Sequence, residues 1–121
     1  MVNNQNNKPL YDLETIKQFV MLGDFELVNS RAAKRYKELG WNTAHMKGLI
    51  QALSVQKHFQ KSHFGQASQI GEIDVDAYAI CFNEDDLKED RYNGLEFFIK
   101  LAIDPEEPLT AIVSFHLSGS P

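Results

Sequence analysis

EFFIKLAIDPEEPLTAIVSFHLS, Glu96 to Ser118, places two alternating runs on either side of a short acidic turn with a proline near each end. Strand side chains point to opposite faces in turn, so Phe97, Ile99, Leu101 and Ile103 share one side of the first run. Phe98, Lys100 and Ala102 share the other. In the second run Val113, Phe115 and Leu117 alternate with Ile112, Ser114 and His116. DPEEP, Asp104 to Pro108, reads as the tight turn between them. Antiparallel pairing through that turn puts both polar sides on one face, and Lys100 and His116 become candidates for a common surface.

Working outward, the same alternation continues back to Leu53 and stops there. Further strands are expected near Gln56 to Phe64 and Ile73 to Phe82, before the pair at Leu95 to Ile103 and Leu109 to Leu117. Upstream the period is helical. Asp12 can cap a helix carrying Leu13, Ile16, Phe19 and Val20, which Gly23 can end in the left-handed conformation. FELVN, Phe25 to Asn29, reads as a brief strand running into Ser30, the cap of a helix from Arg31 to Leu39 closed by Gly40. Asn42 or Thr43 starts a third helix, with Met46, Leu49, Ile50 and Leu53 on one stripe. Asn83 to Gly94 is a long polar connection with an expected helical turn. The fold class is therefore α+β, with three helices packed on one face of a mostly antiparallel sheet of four to five strands.

A chain of 121 residues, 43% apolar, predicts one domain, residues 11–121, after a flexible leader of about ten residues. Lys and Arg number 12 against 17 Asp and Glu, a net charge of -5. That balance argues against broad attraction to nucleic acid or anionic membrane, so any polyanion must meet a local patch. Cys81, the single cysteine, is expected to be a buried bystander. No stretch has the roughly 20 apolar residues of a membrane helix and the amino terminus is polar, so a cytoplasmic protein without a membrane partner is expected.

The densest local patch is KHFQKSHF, Lys57 to Phe64. Regular alternation would put Phe59, Lys61 and His63 on one side. The bland reading is an edge strand protected by lysine. The sharper one joins Lys61 and His63 to Lys100 and His116, with Tyr78 adding a phenol, although a strand tyrosine is more often core or rim. Ammonium and imidazole groups are the parts needed to cleave RNA. A base takes the 2′-hydroxyl proton, a cation stabilises charge on the phosphorane, and an acid protonates the leaving 5′-oxygen. Imidazole suits both transfers. The four histidines, His45, His58, His63 and His116, show no convincing zinc spacing, and no cofactor is expected.

Several words of the sequence, in order, resemble the MqsR-type toxins of bacterial toxin and antitoxin pairs, mRNA interferases with a RelE-like fold. LETIKQFVMLGDF, Leu13 to Phe25, looks like the family's first helix, and RAAKRYKELGW, Arg31 to Trp41, like its second. HFQKSHF stands in the place of the family's phenylalanine, tyrosine, lysine, serine segment. DAYAI, Asp76 to Ile80, is similar to its aspartate and tyrosine pair, FFIKLAI to its strand lysine, and IVSFH to its closing IVSFK. The resemblance implies Lys61 as the catalytic lysine, Lys100 as the strand lysine and Tyr78 as the tyrosine of the pair. Phe98 stands where the family usually has a catalytic tyrosine, and His116 where it has a lysine. The expectation is a metal-independent endoribonuclease with catalytic Lys61, His116, Tyr78 and His63, and with Lys100, Gln60 and Lys57 binding RNA. Its partner would be a cognate antitoxin with a DNA-binding domain. The alternative is a degenerate or repurposed member that binds protein or RNA without cutting.

Overall fold

The structure, a computed structural model, describes residues 8–118. Along the chain come α1 (Leu13–Met21), β1 (Phe25–Leu27), α2 (Ser30–Glu38), α3 (Thr43–Ala52), α4 (Val55–His58), β2 (Phe59–Gln66), β3 (Ile73–Asn83), β4 (Lys88–Glu89), β5 (Leu95–Ile103) and β6 (Thr110–Leu117). The described residues form an α+β fold with four helices and a six-stranded sheet. The main path of the sheet is β1-β6-β5-β3-β2, with β4 pairing β3 beyond it. Only the β1 to β6 pair is parallel. The fold thus has one helix and at least one strand more than the sequence suggested.

The caps are local. The Asp12 carboxylate accepts from the Thr15 amide and starts α1, and Gly23 at φ +85° leaves it in the left-handed region. Asn29, rather than Ser30, caps α2 by accepting from the Arg31 and Ala32 amides. Asn42 and His45 form a reciprocal capping box on α3. Met46, Leu49, Ile50 and Leu53 are all buried, as the stripe predicts.

Those side chains, with Leu13, Ile16 and Val20 of α1, pack on Tyr78, Ile80 and Phe82 of β3, Phe97, Ile99 and Leu101 of β5, and Ile112 and Phe115 of β6. Trp41 is the anchor at the helix junction. It contacts Phe82, Phe97 and Phe115, with ring centroids 6.0, 5.0 and 5.0 Å away, and donates its indole N–H to Glu84 at 2.7 Å. A smaller cluster of Val28, Ile73, Val75, Ala102, Ala111 and Val113 covers one end of the opposite face. The other end of that face is open.

Three sequence readings are corrected. Residues 55–58 form α4 instead of the start of a strand, because Ser54 caps the turn and its own amide donates to His58 Nδ1 at 2.8 Å. Asn83 to Gly94 holds a single helical turn at its end, where the Asp90 carbonyl accepts from the Gly94 amide at 3.0 Å and the Asp90 carboxylate from the Tyr92 and Asn93 amides, but it also holds a strand that the sequence did not suggest. Asn83 accepts from the Asp85 and Asp86 amides, Leu87 turns the chain at φ 55°, and β4 pairs back onto β3. Leader residue Leu10 is tied down, since the Leu10 and Tyr11 amides each donate to the Asp76 carboxylate at 2.9 Å. Residues 1–7 of the expected leader lie outside the described residues.

Candidate RNA-binding and catalytic face

The site grows from the register of three strands. β5 pairs β6 so that Phe98 faces His116 and Lys100 faces Ser114, while β3 pairs β5 so that Ala77 faces Lys100 and Ala79 faces Phe98. Partners opposite one another share a face. Leu101 and Ile99 point to the helices, so Lys100, Phe98, His116, Ala77 and Ala79 point away from them. β2 completes the face with Lys61 opposite Ala77 and His63 opposite Val75. The small Ala77 leaves room between the long side chains, and the result is a cavity of about 260 Å³ lined by Gln60, Lys61, His63, Phe98, Lys100 and His116 among others.

An irregularity in β2 decides which residues reach it. The register shifts between Phe59 and Lys61. Phe59 therefore pairs with Tyr78 and packs its ring edge on it, centroids 5.6 Å apart, instead of sharing a side with Lys61 as regular alternation requires. Gln60 swings toward the cavity. Ser62, between Lys61 and His63, points back to donate to Asp76 at 2.6 Å. With the Leu10 and Tyr11 amides, it gives this fully buried carboxylate three donors. Asp76 thus holds the β2 register from beneath the cationic side chains.

The structure brings Lys61, His63, Lys100, His116 and Gln60 together. Tyr78 borders the same cavity, but its side chain belongs to the core. That side chain is 1% exposed, lies on the core side with Ile80 and Phe82, and has a hydroxyl with no hydrogen-bond partner among the described residues. Burial, then the Asp76 and Asp12 carboxylates, push its pKa far above the usual tyrosine value. Its ring cannot serve the open face. Lys57 sits on α4 and lines a different cavity with His58, Glu89 and Cys81. There the buried His58 accepts from the Ser54 amide through Nδ1 and meets Glu89 through Nε2 at 2.7 Å, a structural clamp between α4 and β4. Cys81 is half-buried rather than buried, because its parity in β3 places it with Ala77 and Ala79.

The electrostatics of the open face are one-sided. His63 is held below the usual imidazole pKa by burial, then by Lys100 and Lys61. His116 is lowered by burial, then by Lys100 and Arg35. Arg35 belongs to α2. β1 covers only the Thr110 to Ile112 part of β6, and α2 packs along the remainder. Between them lies a second cavity of about 500 Å³, lined by Arg31, Arg35, Gln66, Lys100, Ser114 and His116 among others. Lys100 and His116 line both cavities, and among the described residues no aspartate or glutamate lines either. A chain of net charge -5 thus carries an acid-free cationic groove.

Arg31 and Arg35 were missed in the sequence. Their i, i+4 spacing did mark them as neighbours on one helix face. Among the described residues no three His, Cys, Asp or Glu side chains are grouped as metal ligands, and no helix is long and apolar enough to cross a membrane. Comparisons with known protein families, characterised proteins and solved structures find no match for this chain.

Proposed function

We propose that the protein is a metal-independent endoribonuclease of the MqsR-type, RelE-like toxin class, cleaving mRNA in the cytoplasm and neutralised by a cognate antitoxin with a DNA-binding domain. The observation that carries this reading is the acid-free face where two lysines and two imidazoles from β2, β5 and β6 line one cavity. Lys61 and Lys100 hold the scissile phosphate and offset the charge that develops on the phosphorane. The lowered pKa values keep His63 and His116 neutral in the free protein at neutral pH, so either can accept the 2′-hydroxyl proton. A phosphate lodged between them favours protonation of the other, which then donates to the leaving 5′-oxygen. The 2′-oxygen to phosphorus bond forms as the phosphorus to 5′-oxygen bond breaks, leaving a 2′,3′-cyclic phosphate and a 5′-hydroxyl. Purified protein incubated with mixed-sequence RNA in EDTA is expected to yield fragments with those ends.

One observation favours the second reading, a repurposed domain that binds RNA without cutting. Neither aromatic position that the resemblance associates with a tyrosine puts a hydroxyl on the open face, since Phe98 has none and Tyr78 is buried on the other side. RNA bound but left intact at every pH from 5.5 to 8 supports that reading over the nuclease.

A further inference from the structure

The ribonuclease reading uses one cavity, yet Lys100 and His116 also line the larger one beneath α2. Arg31 is exposed and Arg35 half-buried, and both line that second cavity. The first free amides of α2, those of Arg31 and Ala32, are occupied by the Asn29 side chain, so an anion there would be met by the guanidinium groups rather than by the helix end. In the smaller cavity the half-buried Phe98 ring stacks, with centroids 5.4 Å apart, on His116, which lines both. An aromatic face among phosphate-binding cations suits an unpaired base, whereas a duplex keeps its base faces covered.

We propose that Arg31 and Arg35 form a second phosphate subsite, making the ligand a single-stranded RNA whose backbone runs from Lys61 and His63, past Lys100 and His116, to the side of α2. The inference rests on the ribonuclease reading and specifies its substrate. It gives Phe98 a role as a stacking surface beside the first phosphate site.

The test is fluorescence anisotropy with a 2′-O-methyl single-stranded hexamer, which cannot be cleaved, titrated at salt concentrations from 50 to 200 mM. Each single-strand phosphate contact contributes about 0.7 to the slope of log affinity against log salt, so Arg31→Ala/Arg35→Ala is expected to reduce that slope by about 1.4. Arg31→Lys/Arg35→Lys should keep it, confirming folded protein with the charge retained. Lys34→Ala/Lys37→Ala removes the same charge from exposed α2 positions that do not line the cavity, and should leave the slope within about 0.3 of wild type. A blunt duplex of the same length should bind at least tenfold more weakly.

An unchanged slope in the arginine-to-alanine pair, or an equal loss in the Lys34/Lys37 control, overturns the subsite. Equal affinity for the duplex overturns the single-strand assignment. In either case cleavage that still depends on Lys61 leaves the ribonuclease reading standing. Wild-type protein that neither binds the hexamer nor cuts RNA removes both.

Discussion

Replacing Asp76 by alanine should loosen the platform that carries the cationic groups. The carboxylate is fully buried and accepts from the Leu10 and Tyr11 amides at 2.9 Å and from Ser62 Oγ at 2.6 Å. Hydrogen bonds to charged acceptors are worth about 1.5–3 kcal/mol each, and because the three are not additive and their donors are only partly buried, the alanine variant should lose about 4 kcal/mol. Asparagine keeps one acceptor but turns an NH2 toward a donor, so about 2 kcal/mol is expected. At about 2.1 cal/mol/K per residue over 121 residues, the unfolding entropy is about 0.25 kcal/mol/K, so the midpoints should fall by about 16 °C and 8 °C respectively. Thermal unfolding by circular dichroism reads both, and urea titration with an unchanged m-value would confirm a stability effect. Affinity for single-stranded RNA should weaken too, because Ser62 lies between Lys61 and His63. A drop below about 4 °C in the alanine variant would refute the assignment of Asp76 as the staple of β2.

Tyr78→Phe removes a buried hydroxyl that has no partner among the described residues, and should leave stability unchanged or raise it by up to about 1 kcal/mol while leaving RNA affinity intact, read by denaturant titration and anisotropy. Lys100→Met should raise the pKa of both His63 and His116, since its ammonium lowers each; NMR titration of the imidazole resonances reads the shift. The sign for the wild type follows from the same depressions. The folded state favours neutral imidazoles, so their contribution to stability is present above the unfolded histidine value near 6.5 and is lost as pH falls through the lower folded values, whereas affinity for a phosphate backbone rises over that window. Phe98→Tyr places a hydroxyl beside His116 on the open face, and in the nuclease reading should raise the single-turnover cleavage rate severalfold with less than about 1 kcal/mol change in stability.

The pairing of β5 with β6 was legible because alternation and the DPEEP turn are both local signals. It placed Lys100 and His116 on one face correctly. The β2 reading failed at Phe59 because a bulge depends on what lies across the strand, here Tyr78, which no local pattern encodes. Tyr78 itself was legible in principle. It shares its parity with Ile80 and Phe82, and three large apolar side chains at spacing two identify the core side. The α2 arginines escaped because a charged helix face normally means solvent. Only the parallel return of β1 beside β6 turns that face toward His116. Both α4 and β4 hang on long-range or side-chain contacts, the His58 to Glu89 pair above all, and so left no periodic trace.

The most direct test is the single-turnover cleavage rate of RNA by Lys61→Ala protein compared with wild type. Loss of a cation that stabilises the phosphorane should slow cleavage by about 10²-fold or more while the thermal midpoint stays within about 2 °C, because Lys61 is exposed. Cleavage at the wild-type rate by the folded variant would contradict the claim that the open face of the sheet is the catalytic surface.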